Sequence, residues 1–112
     1  VAGTGTVETE QAAKKGGRKP DPMARIVNDV KASIKSLGDY EAKEYPVTRN
    51  RYYDERSAVW ARQYGREGTL DALVLSYAHE VLASLNDAER RHALLQLAAV
   101  AINEVSRLDG AE

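Results

Sequence analysis

The strongest constraint on this chain is residues 70–108, where apolar side chains recur at three- and four-residue steps and almost no loop interrupts them. Leu70, Leu73, Val74, Tyr77 and Val81 form one stripe, widened by Leu75, Ala78, Leu82 and Leu85. That spacing is helical. Thr69 suits the cap before it, and Asp71 is favourable in the first turn. Asn86 with Glu89 three residues on has the pattern of a capping box and starts a second helix. Its main stripe is Leu94, Ala98, Ala101, Val105 and Leu108, with Leu95, Leu97 and Ile102 beside it, and Asp109-Gly110 closes it. Two helices so nearly continuous must fold back on one another, which predicts an antiparallel hairpin. Their apolar faces are wider than two short helices can cover. The expected remedy is a homodimer, with Leu82, Leu97, Val100 and Ile102 as interface candidates.

Two further helices are predicted upstream. Asp21 can cap the first and Pro22 suits its first position, where a missing N–H costs nothing. Met23, Ile26, Val27, Val30, Ile34 and Leu37 then trace one stripe, and Gly38 is a natural stop. Residues 39–48 read as a polar connection broken by Pro46. The other helix is expected to start near residues 48–51, with Tyr53, Ser57, Trp60, Ala61 and Tyr64 on one face and Gly65 at its end. Residues 1–20 hold only Val1 and Val7 as larger apolar side chains. They cannot bury enough surface to offset their ordering entropy, so a disordered tail is expected. The fold class is therefore all-α: a four-helix bundle with a C-terminal antiparallel hairpin, residues 21–112 forming one helical domain behind a tail at 1–20. About ninety residues build a modest core, a second reason to expect a stabilising partner.

Charge is unevenly placed. Residues 1–20 carry four Lys/Arg against two Glu, and residues 49–66 five Arg against two acids. Residues 67–112 reverse this, with eight acids against three Arg. A basic front directs attention to an anionic partner. In the tail the basic residues are Lys14, Lys15, Arg18 and Lys19; the last two lie in a GGRKP element that resembles minor-groove contacts. Residues 49–66 interleave Arg49, Arg51, Arg56, Arg62 and Arg66 with Tyr52, Tyr53, Trp60 and Tyr64. Guanidinium groups pair with phosphates and rings stack on bases. The competing reading is an amphipathic helix with rings in the core and arginines in water.

Other chemistry is thinly represented. The chain has no cysteine, which removes disulfides, thiolate nucleophiles and Cys-based zinc sites. His79 and His92 with Glu80 are too few for a recognisable metal set. Gly3 and Gly5 lack the preceding strand and third glycine of a phosphate loop. No apolar run is long enough to span a bilayer, and the start lacks the basic-then-apolar layout of a secretion signal, so a cytoplasmic location without membrane contact is expected.

The segment LDALVLSYAHEVLASLNDAERRHALLQLAAVAINEVSRLDG resembles the central hairpin of MazG-like nucleoside triphosphate pyrophosphohydrolases, especially their short phage and actinobacterial versions. An apolar ALVL leads one helix, a short polar turn follows, and an Ala-rich LLQLAAVAINEV helix returns. DERSAVWARQYG upstream is similar to the segment before that hairpin, so the resemblance spans residues 54–109. It implies an all-α fold, usually dimeric or tetrameric, and Mg²⁺ chemistry resting on an EExxE and an ExxD motif. Mg²⁺ demands oxygen ligands, which facing helices can gather. In this chain the first motif falls on Ser76, Tyr77 and Glu80 and the second on Ala93 and Gln96. Glu80 alone keeps its carboxylate, so the resemblance implies a copy that has lost the reaction.

These readings lead to a non-catalytic binding or regulatory protein, which the resemblance makes a degenerate MazG-like protein of phage or mobile-element type, with no cofactor expected and with itself or another protein as partner. The alternatives are a small DNA-associated protein using the tail and the Arg-rich helix, and an Mg²⁺-dependent pyrophosphohydrolase with an unusual ligand set.

Overall fold

The computed structural model describes residues 21–110. Four α-helices account for most of them: α1 (Pro22–Leu37), α2 (Asn50–Glu67), α3 (Leu70–Ala83) and α4 (Asp87–Gly110), with a 3-10 turn at Val47–Arg49 before α2. No strand occurs among the described residues, so the all-α class holds. The tail, with its candidate residues Lys14, Lys15, Arg18 and Lys19, lies outside the described residues.

The described residues divide into two compact units, residues 21–37 in one and residues 38–110 in the other. In the first, α1 starts as its sequence requires. Asp21 Oδ1 accepts the Met23 N–H at 3.0 Å, and Pro22 occupies the first helical position. Gly38 follows at φ +63°, the left-handed conformation that ends a helix at little cost to glycine. Ile26 is the buried residue of α1, while Met23, Val30, Ile34 and Leu37 are exposed.

In the second unit α3 is the central element, packing on α2 along one side and α4 along another. The contact surfaces are built from small side chains. Ala72 has no exposed surface, and Ser76, Val81 and Ala93 are buried. Ser57 Oγ of α2 donates to the Ser76 carbonyl at 3.2 Å, and Ser76 Oγ donates to the Leu73 carbonyl at 2.9 Å. Small residues at a crossing let two helix backbones come close, while the flanking large residues close over the contact. Tyr53, Ser57 and Trp60 are the half-buried face of α2, and Leu73, Val74, Tyr77 and Leu82 half-buried positions of α3.

Several expectations from periodicity are corrected. The end of α2 is Gly68, not Gly65: Gly68 takes φ +64° and its N–H reaches the Tyr64 carbonyl at 2.7 Å. Gly65 stays helical because one glycine inside a helix costs only about 1 kcal/mol. Tyr64, expected on the inner face, is exposed, as are Leu70 and Leu85 at the two ends of the α3 segment. The largest change concerns α4. Its stripe Leu94, Ala98, Ala101, Val105 and Leu108 faces outward, and the covered row is Ala93, Leu97 and Val100. Both rows have helical spacing, and the row with the small Ala93 permits the closer approach.

The α4 cap is a variant of the expected capping box, in which the Glu89 carboxylate reaches one residue past the cap. Asn86 Oδ1 accepts the Glu89 N–H at 2.9 Å, and Glu89 Oε1 accepts the Leu85 N–H at 3.1 Å. At the start of α3, the Thr69 hydroxyl and then the Ala72 N–H hold the exposed Asp71 carboxyl below its ordinary range. That contribution is present above the ordinary carboxylate pKa and is lost as the pH falls through the lowered value.

Ala72→Leu should destabilise the protein by about 1–3 kcal/mol, because added volume must separate closely packed helices. Leu85→Ala, at a side chain 80% exposed, should stay within about 0.5 kcal/mol of the unaltered protein. Urea titration followed by circular dichroism measures both.

Candidate functional site

The polar side chains of the second unit gather where the start of α2, the end of α3 and the start of α4 meet. The last carbonyls of a helix lack internal partners, and here side chains from residues 45–50 supply them. Tyr45 Oη donates to the Leu82 carbonyl at 2.6 Å. Asn50 Nδ2 donates to the Ser84 and Leu82 carbonyls at 3.3 and 3.4 Å. Arg90 reaches across from α4, with Nη1 donating to both Glu44 carboxylate oxygens at 3.2 and 3.0 Å and Nη2 to Tyr45 Oη at 3.4 Å. Its guanidinium stands over the Tyr45 ring at 5.5 Å, and that ring meets Tyr53 edge-on at 5.6 Å. The Glu44 hydrogen bond pushes the Arg90 guanidinium above its usual value.

This network was hidden in a segment that reads as a plain polar connection. The available signal was Tyr45-Pro46, since an aromatic ring next to a helix-breaking proline marks a point where a connection docks.

Beside the network lies a cleft of about 510 Å³. Arg51 and Asp54 of α2, Glu80 of α3, and Glu89 and His92 at the start of α4 line it. Glu80 and His92 therefore both line this cleft. His79 does not join them: its Nδ1 lies 2.9 Å from the Leu75 carbonyl, and its ring stacks obliquely near Tyr53 at 6.4 Å. Glu89 is engaged by the α4 cap. No group of three or more His, Asp or Glu side chains among the described residues is placed to hold a metal ion.

The five arginines of residues 49–66 are all exposed. Helical geometry puts Arg51, Arg62 and Arg66 within about 60° of one another around α2. Glu55 lies between them and pairs with Arg51 at 3.3 Å. Arg56 stacks over the exposed Tyr52 ring at 5.1 Å. Of the aromatic residues, Tyr53 and Trp60 turn inward and only Tyr52 and Tyr64 remain exposed beside the arginines.

The apolar surface is the other prominent feature. Leu94, Val105 and Leu108 are 48%, 39% and 70% exposed, with Ala98 and Ala101 exposed between them. The interface candidates Leu82, Leu97, Val100 and Ile102 are each half-buried within the single chain. No helix among the described residues is long and apolar enough to cross a membrane.

Comparison with protein-family models, curated proteins and solved structures yields no match to this chain.

Tyr45→Phe removes the shorter of two hydrogen bonds to the Leu82 carbonyl, Asn50 Nδ2 remaining at 3.4 Å, and should cost about 1 kcal/mol. Glu44→Gln, at an exposed carboxylate, should cost less than about 1 kcal/mol. Paired urea titrations compare the two; a larger cost for Glu44→Gln would show that the ion pair, not the hydroxyl, holds the segment.

Proposed function

We propose that the chain is a non-catalytic helical binding protein whose working surface is the outward apolar stripe of α4. One observation carries this reading: a continuous row of apolar side chains at helical spacing faces away from the rest of its unit. Contiguous exposed apolar surface is uncommon on proteins that act alone and marks interaction sites. In the same reading α3 and α4 form an antiparallel hairpin, consistent with their mutual packing and the connection of residues 84–86.

The kinship proposed is a degenerate one with the MazG-like proteins. Where that chemistry requires carboxylates, this chain has Ser76 and Ala93, both buried. Those positions contribute to packing and cannot take up acids without disturbing it. Glu80 faces a cleft whose other carboxylates, Asp54 and Glu89, do not fall on the family's motif positions.

A second reading, a DNA-associated protein, is favoured by the exposed arginines of α2. Arg51, Arg62 and Arg66 share one face, and Arg56 with Tyr52 offers a cation beside an exposed ring.

Two assays separate these functions. Nucleoside triphosphates with Mg²⁺ should give no pyrophosphate above background; release that Glu80→Gln abolishes would overturn the non-catalytic reading. Duplex DNA should bind no tighter than the ordinary non-specific range of about 10⁻⁴–10⁻⁶ M. Tighter binding that fades with salt and weakens in Arg51→Ala and Arg62→Ala would promote the second reading.

A further inference from the structure

We propose that α4 pairs with the α4 of a second copy of this chain, antiparallel, along Leu94, Ala98, Ala101, Val105 and Leu108. The inference rests on the reading of this stripe as a binding surface and names its occupant. The five residues alternate steps of four and three, the repeat by which two helices keep one seam in register.

Size and charge select a second copy in this orientation. With the seam centred between Ala98 and Ala101, each alanine faces the other alanine of the second copy. Leu94 then faces Val105, and Arg91 faces Leu108 with Asp109 adjacent. The small centre permits a helix separation of about 8 Å, and the larger pairs close both ends. Arg91 continues the seam toward the start of α4 and is exposed. Antiparallel pairing sets it beside the exposed Asp109 of the second copy, twice by symmetry. Parallel pairing would instead place arginine against arginine at one end and aspartate near aspartate at the other, which disfavours it. The remaining margins are Leu95, exposed, and Ile102, half-buried, on one side, and the half-buried Leu97 and Glu104 on the other, where Glu104 is paired with Arg107 at 3.5 Å.

The seam spans about 21 Å of helix. A strip of that length on one helix face is smaller than the roughly 800 Å² per partner of a stable interface. The dimer is accordingly weak, and the concentrations that test it run from about 10 µM to about 1 mM.

The absence of native cysteine makes a direct test possible. Sedimentation of the unaltered full chain should show a mass rising from monomer to dimer across that range, and a monomer persisting at about 1 mM would overturn the proposal. Ala98→Glu, at an exposed position of the single chain, should retain its helical circular dichroism and weaken association about 10- to 100-fold. Under mild oxidation, the double variant Leu94→Cys with Val105→Cys should cross-link into dimers, and the single variant Leu94→Cys should not. Efficient linking by the single variant alone would overturn the antiparallel order. Arg91→Asp and Asp109→Arg should each weaken pairing, and their combination should restore it.

The failure of this proposal is separable from failure of the binding-surface reading. A fluorescent apolar dye, 8-anilinonaphthalene-1-sulfonate, should bind the dilute chain and bind less to Val105→Glu. Dye binding with that difference, from a chain that stays monomeric, removes self-pairing and leaves the surface available to another partner. No difference between the two proteins removes both.

Discussion

α3 is the helix on which its unit depends, because it has packed neighbours on two sides. A short helix in that position must satisfy two contacts on a circumference of only a few residues. The chain meets this by making the contacts from Ala72 and Ser76, so that large residues are needed only at the margins. Close approach then fixes which faces of α2 and α4 turn inward. α2 presents Ser57, whose hydroxyl meets the Ser76 carbonyl, and α4 presents Ala93.

That dependence explains what could be read in the sequence and what could not. Caps were legible because their chemistry is local. Asp21-Pro22, the Asn86 and Glu89 box, and the glycine after Leu37 each act within four residues, and each appears as read. Periodicity correctly placed four helices and the inner faces of α2 and α3, but not the rotation of α4. α4 carries two rows of helical spacing, and a rule that weights large residues selects Leu94, Val105 and Leu108. The packed row was decided by fit against α3, which rewards a small residue over a large one. Ser76 and Ala72 were passed over for the same reason. The Tyr45–Arg90 network was also hidden, since its members are 45 residues apart and neither is part of a local motif.

Of the candidate surfaces, the arginine face was the most legible. An amphipathic helix with interleaved aromatic and basic residues sorts itself by solvation, rings inward and guanidinium groups outward. That sorting happened for Tyr53 and Trp60 and left Tyr52 beside Arg56. It does not choose between a solvated face and a phosphate-binding one, because both need exposed arginines. The cleft was legible only through Glu80 and His92, while Asp54 and Arg51 come to it from α2.

The arginine face and the apolar stripe lie on different helices of one unit, with α3 packed against both of those helices. If α4 pairs with a second α4 as proposed, association would use a different helix from the arginines, so the two proposed readings do not compete for the same surface. Two linked basic faces would then engage one long polyanion with a higher effective concentration than either alone, and a ligand that contacted both copies would itself shift the association equilibrium toward the pair.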